Sequence, residues 1–190
     1  MEIPLLIGAA LLLPALYVIT QYNGLVGLRN HIAEAWSNVD TELKRRYDLI
    51  PNLVATVKGY ATHEREVLER VTELRDRCLA NRGPVGDQAR DEVQLVDALK
   101  QLLVRIEDYP QLKADAHFLE LQRELVNTED RIQAARRFYN GNVRDYRNKR
   151  ETFPSNLVAA MFTFPAADFF SVPPAVREVP DVEFGGSEVG

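Results

Sequence analysis

The stretch AWSNVDTELKRRYDLIPNL, residues 35–53, decides where the helices of this chain begin and end. Ala35, Val39 and Leu43 step by four, so they share one face of a helix, with Trp36 close beside it. Lys44, Arg45 and Arg46 crowd what reads as the last turn, where positive charge complements the carbonyl end of the helix dipole. Asp48 then offers a side-chain cap to a second helix. Pro51 falls in the first turn of that helix, where a missing N–H costs little. The expected result is a corner near residues 48–51. Two readings of it stay open: a charged, capped turn, or a partner-binding surface made of Trp36, Asn38, Asp40, Lys44, Arg45, Arg46, Asp48 and Asn52.

Outward from this corner, apolar residues keep stepping by three and four. The first run is Leu25, Leu28, Ile32, Ala35, Val39 and Leu43; the second passes through Leu53, Val57, Tyr60, Glu64, Val67, Val71, Leu74 and Cys78. A shorter run has Val96, Leu99, Leu103 and Ile106, and a last one runs from Ala114 through Phe118, Leu121, Leu125, Thr128, Ile132 and Ala135 to Tyr139. Seams of this spacing are what coiled coils and antiparallel bundles bury. Gly83-Pro84-Val85-Gly86 ends the second run, with Asp87 placed to cap the third. Tyr109-Pro110 and Phe153-Pro154 mark two further breaks. Short connections force antiparallel neighbours. The expected fold is all-α: a transmembrane helix continuing into an up-down-up-down four-helix bundle, then an irregular tail. The expected divisions are 1–21, 22–153 and 154–190. Glu64 in its seam would cost several kcal/mol unless paired, which makes Arg45 or Lys58 the expected partner.

The anchor expectation rests on Ile3 to Thr20, eighteen residues without a charge. At 1.5 Å per residue they span roughly 27 Å, just under the ~30 Å hydrocarbon core. Tyr17 and Tyr22 stand where an aromatic belt is expected. A cleavable signal peptide would want a basic start, and only Glu2 is there; no small-residue cleavage site follows. No Lys or Arg precedes the span, whereas Arg29 and residues 44–46 follow it. That asymmetry places the N-terminus outside and the bundle in the cytoplasm of a single-pass protein. A chain of 190 residues suits one domain, and a net charge of -5 argues against nucleic acid as a partner. A single cysteine, Cys78, excludes internal disulfides and Cys-based metal clusters.

Reaction chemistry is hard to find. Di-iron bundles use Glu-x-x-His; this chain has the reverse, His31-x-x-Glu34 and His117-x-x-Glu120, one position off the seams, with His63-Glu64 as one further candidate. Polar residues on a solvated face account for them. Cys78 lies on an apolar seam and reads as a small core residue. With no phosphate loop and no nucleophile elbow, the expectation is no enzyme, no cofactor and no metal.

Two features point to membrane lipid. Arg144, Arg147, Lys149 and Arg150 end the last helix, on the side expected to return to the bilayer, where each cation gains ~1 kcal/mol near anionic headgroups. Dipole complementarity explains the same residues equally well. Beyond Pro154, SNLVAAMF reads as one short helix and the Pro- and Gly-rich remainder as extended chain. Its aromatics Phe162, Phe164, Phe169 and Phe170 have three destinations: the bundle, the membrane surface or a neighbour.

Two long stretches carry a resemblance. YNGLVGLRNHIAEAWSNVDTELKRRYDLIPNLVATVKGYATHE and LQRELVNTEDRIQAARRFYNGNVRDYRNKRETFPSNLVAAMF resemble the LemA family and together cover most of residues 22–164. Tyr146-Arg147-Asn148 departs from it, standing where a second Tyr-Asn pair is expected. The resemblance implies an N-terminal anchor in a bacterial cell membrane and an antiparallel helical body without an established reaction. It also implies links to magnetosome membranes in magnetic bacteria and to a membrane zinc metalloprotease encoded nearby. The expected function is a non-enzymatic, membrane-anchored scaffold or adaptor that forms homo-oligomers or meets another membrane protein, such as a membrane protease. The alternative is a peripheral membrane-remodelling element that binds anionic lipid through the basic helix end and the Phe-rich tail.

Overall fold

The structure is a computed structural model that describes residues 2–61 and 63–171, with the side chains of residues 2–11 left outside the description. The described chain is all-helical, with no strand. Six helices follow in order: α1 (Glu2–Lys58), α2 (Arg65–Ala80), α3 (Val85–Ile106), α4 (Pro110–Lys113), α5 (Ala116–Glu151) and α6 (Ser155–Met161). Among the described residues no helix is long and apolar enough to cross a membrane. The expected span Ile3–Thr20 has its first nine side chains, residues 3–11, outside the described residues.

The corner expected at Asp48–Pro51 is corrected: those residues are all helical, within α1. The inward positions explain why. Leu43, Arg46, Ile50, Leu53 and Val57 are all buried, so the three-four step never loses phase, and Pro51 falls on the exposed side. An interior proline costs about 3 kcal/mol, whereas each buried aliphatic side chain contributes ~1.5–3 kcal/mol. Burying Ile50, Leu53 and Val57 together outweighs the proline. The helix ends instead at Gly59, where Tyr60 N bonds Val57 O at 3.0 Å and tightens the last turn. Asp87 likewise caps nothing, because α3 starts two residues earlier, after Pro84.

The chain forms two compact units, one of residues 1–49 with 120–170 and the other built on residues 50–119. In the first, α1 and α5 run antiparallel: Arg46 meets Glu129, Trp36 meets Tyr139, and Lys149 Nζ lies where a Cβ on Gly24 would sit. Its core holds Val39, Leu43, Tyr47, Ile132, Tyr139, Val143 and Tyr146. In the second, α2 and α3 form an antiparallel hairpin. Arg77 Nε lies 3.1 Å from Asp91 Oδ1, and Asn81 Nδ2 donates to Asp91 Oδ2 at 2.7 Å. Its core is almost wholly aliphatic, with Leu53, Val57, Val71, Leu74, Leu95, Leu102 and Ile106 each nearly inaccessible.

Glu64 is also corrected. It flanks the start of α2 and accepts a hydrogen bond from Tyr109 Oη at 3.1 Å, with Arg105 Nε at 3.9 Å, rather than pairing with Arg45 or Lys58. Asp115 begins α5 by accepting from Phe118 N at 2.9 Å. That bond, followed by one from Tyr60 Oη, holds the Asp115 carboxyl below its ordinary pKa.

Candidate functional site

In the first unit, the chain after α6 turns back and lies extended along α5. Thr163, at φ 52°, makes the turn. From there to Phe170 the strap is held by side chains of α5 that bond its backbone. Arg150 Nε donates to Phe164 O at 2.9 Å, Tyr146 Oη to Pro165 O at 2.7 Å, and Tyr139 Oη to Asp168 O at 2.9 Å. Asn140 uses both ends of its amide, donating to Phe170 O at 3.1 Å and accepting from Phe170 N at 2.9 Å.

Two phenylalanines pin the strap. Phe164 packs against Leu25, Tyr146, Val158 and Ala159. Phe170 is buried edge-on to Trp36, ring centroids 5.5 Å apart, and Trp36 meets Tyr139 in the same way at 5.3 Å. These spacings suit edge-to-face aromatic contact. Burial, helped by Asp168, pushes the Tyr139 phenol up to about 12, so it stays a hydrogen-bond donor at neutral pH. Tyr146 is raised by burial too. The arrangement recognises extended main chain.

Of the residues expected to bind a partner, five are exposed along α1 and three are covered, wholly or in part. Asn38, Lys44, Arg45 and Asp48 are exposed on α1 in the first unit; Asn52 is exposed in the second. Asp40 is half-buried and takes a 2.7 Å bond from Lys44 Nζ, while Arg45 lies 3.4 Å from Glu42. Arg46 leaves the candidate surface: it is buried and pairs with Glu129 at 2.8 Å. Trp36 is half-buried as the floor under the strap.

The expected membrane patch is divided as well. Arg144 projects, with Asp145 at 3.9 Å. Arg147 lies 3.6 Å from Glu151 and stacks over Phe169 at 5.4 Å. Lys149 lies over Gly24, and Arg150 is occupied by the strap. Phe170, 1% exposed and packed against Trp36, drops out of the lipid-facing set because it has no surface left to offer. His31 and Glu34 lie 3.9 Å apart on an exposed face, and among the described residues no three His, Cys, Asp or Glu side chains gather as a metal site. Cys78 is buried on the α2 seam.

Sequence reading missed Tyr139, Asn140, Tyr146 and Arg150 as a clamp. The usable signal was polar: two tyrosines seven residues apart on a buried face must each find an acceptor for a hydroxyl.

Fold and clamp define an all-α protein whose paired helices are closed by a self-bound strap. The family model described as "LemA family" matches residues 35–184. The chain belongs to the LemA family. It is 30% identical over 141 residues to Protein LemA of Metamycoplasma hominis, covering 72% of this chain and 63% of that relative, less than two thirds of its length. It is 22% identical over 183 residues to Magnetosome protein MamQ 2 of Paramagnetospirillum magneticum, covering 83% of this chain and 67% of the relative. Magnetosome protein MamQ of Magnetospirillum gryphiswaldense is 21% identical over the same length, with the same coverage.

Proposed function

We propose that this chain is a non-enzymatic scaffold or adaptor, anchored in a bacterial cell membrane by Ile3–Thr20, with its helical body in the cytoplasm. The observation that carries the reading is the first described part of α1. Leu12, Leu13, Leu16 and Ile19 are 70%, 68%, 59% and 55% exposed on a helix that continues without a break into the folded body. Four large aliphatic side chains on one short stretch need a cover, and hydrocarbon is the cover an uncharged run of this length fits. Arg29, Lys44 and Arg45 follow the run, which supports the cytoplasmic side for the body. The body presents Asn38, Lys44, Arg45 and Asp48 to copies of itself or to another membrane protein, a membrane protease among the candidates.

Mass measurement of the full chain in nanodiscs, beside the chain lacking residues 1–21, tests this. A discrete assembly of the full chain that Arg45→Glu/Asp48→Lys reduces is the expected result. A monomer that captures no membrane protein would overturn the scaffold reading.

A second reading, direct engagement of anionic lipid by the basic end of α5, is favoured by Lys149 lying over Gly24, four residues beyond the apolar run. Replacing Arg144, Arg147 and Lys149 by Ser, with Arg150 left on the strap, would then weaken association with anionic vesicles; unchanged association removes it.

A further inference from the structure

Residues 152–167 contain no charged side chain, although much of the segment lies on the surface. α6 sits within it. Its inner side, Ser155, Val158 and Ala159, is buried. Its outer side is apolar as well: Leu157 and Met161, spaced by four, are 60% and 67% exposed, and Phe153, just before the helix, is 74% exposed. A water-facing helix carries polar residues on its outer side, so a helix apolar on both faces calls for a second apolar partner.

The position of α6 indicates which partner. Val158 and Ala159 belong to the cluster built on Leu25, and Tyr17 and Val18 pack against that cluster. α6 therefore stands beside the end of the apolar run of α1, next to exposed Leu16 and Ile19. Just beyond, Tyr22 meets Phe162 edge-on at 4.8 Å and Phe164 at 5.6 Å. Further along come the cations, Lys149 over Gly24 and Arg29 at 5.9 Å from the Phe164 ring. Along α1 the order is aliphatic, aromatic, cationic. From Ile19 to Arg29 this takes roughly 15 Å at 1.5 Å per residue, and the order is the one found where a span leaves hydrocarbon for the headgroups. A second copy of the chain would not require that vertical order; a bilayer does.

We propose that α6 is an interfacial foot: Phe153, Leu157, Met161 and Phe162 enter the headgroup–acyl boundary while Lys149 and Arg29 face the headgroups. The foot would fix the height and tilt at which the body leaves the membrane. This rests on the anchored reading and adds a second lipid contact to it.

The test uses the full chain in phosphatidylcholine–phosphatidylglycerol vesicles. An environment-sensitive fluorophore is placed at Leu157→Cys in a Cys78→Ala background, with Met161→Cys as a second probe site and exposed Val104→Cys as the water control. The expected result is blue-shifted emission at 157 and 161, quenched more by lipid spin-labelled near the headgroup than by lipid labelled at the chain end, with Val104 unshifted. Water-like emission at both sites, in protein that floats with the vesicles, overturns the foot and leaves the anchor standing. Blue-shifted emission that no spin-labelled lipid quenches places protein over α6 and also overturns it. A full chain that fails to float overturns the anchor and the foot together.

Discussion

The two units of this chain solve the same problem with different chemistry. In the second, Leu53, Val57, Leu74, Leu95, Leu102 and Ile106 close a mainly aliphatic core, with Glu92 and Phe118 also buried in the unit. In the first, aromatic and polar groups join the aliphatic ones: Tyr47, Tyr139, Tyr146 and Phe170 are buried, as are Arg46 and Thr128. Aliphatic burial is non-directional and tolerates adjustment. Buried hydroxyls, amides and guanidinium groups must meet particular partners, and here several of those partners are backbone atoms of the strap. The contrast teaches that the first unit adds directional hydrogen bonds to its aliphatic packing, whereas the second rests mainly on volume.

Deleting the strap's last pin should have the largest effect. Phe170→Ala is expected to cost about 4 kcal/mol if the site cannot collapse. Trp36, the single tryptophan, should shift its emission to the red as it loses its neighbour. Hydrogen exchange should rise across residues 120–170 and stay unchanged in α2 and α3; uniform loosening of both units would break the comparison. Leu102→Ala should cost about 3 kcal/mol and do the reverse, loosening α2 and α3 while Trp36 emission holds.

Arg46 sharpens the contrast. Its side chain is 3% exposed and that of its partner Glu129 is 30% exposed. Arg46→Ala should therefore cost about 2 kcal/mol, below the 3–5 kcal/mol of a fully buried pair, because water still reaches Glu129. Arg46→Met should recover part of that in thermal melts; a Met variant no better than Ala would mean that the charge itself is needed.

The smallest effect is on pH. Burial raises the Tyr139 pKa from 10.0 to about 12, so folding favours the neutral phenol. That contribution is fully present below pH 10 and declines as pH rises from there toward 12. Trp36 emission should report strap release in that window, and Tyr139→Phe should shrink the transition, leaving the part carried by Tyr146, which burial also raises.

Much of this was legible beforehand. Of the seam read into α5, Phe118, Leu121, Thr128, Ile132 and Tyr139 are buried and Leu125 and Ala135 half-buried, while Ala114 precedes the helix and is exposed. The short helix in SNLVAAMF forms at Ser155–Met161. The false corner at Asp48–Pro51 arose because Arg46, a charged residue, holds an inward position; leaving it out broke a seam that the chain keeps. The strap was illegible for another reason. Its bonds run from side chains to backbone across distances of 14 to 30 residues, and no periodicity encodes such pairs.

The most direct test of the anchored account is a urea wash of bacterial membranes carrying the full chain, beside the chain lacking residues 1–21. The account predicts that the full chain stays with the membrane while the shortened one is released. Release of both into the wash would contradict it.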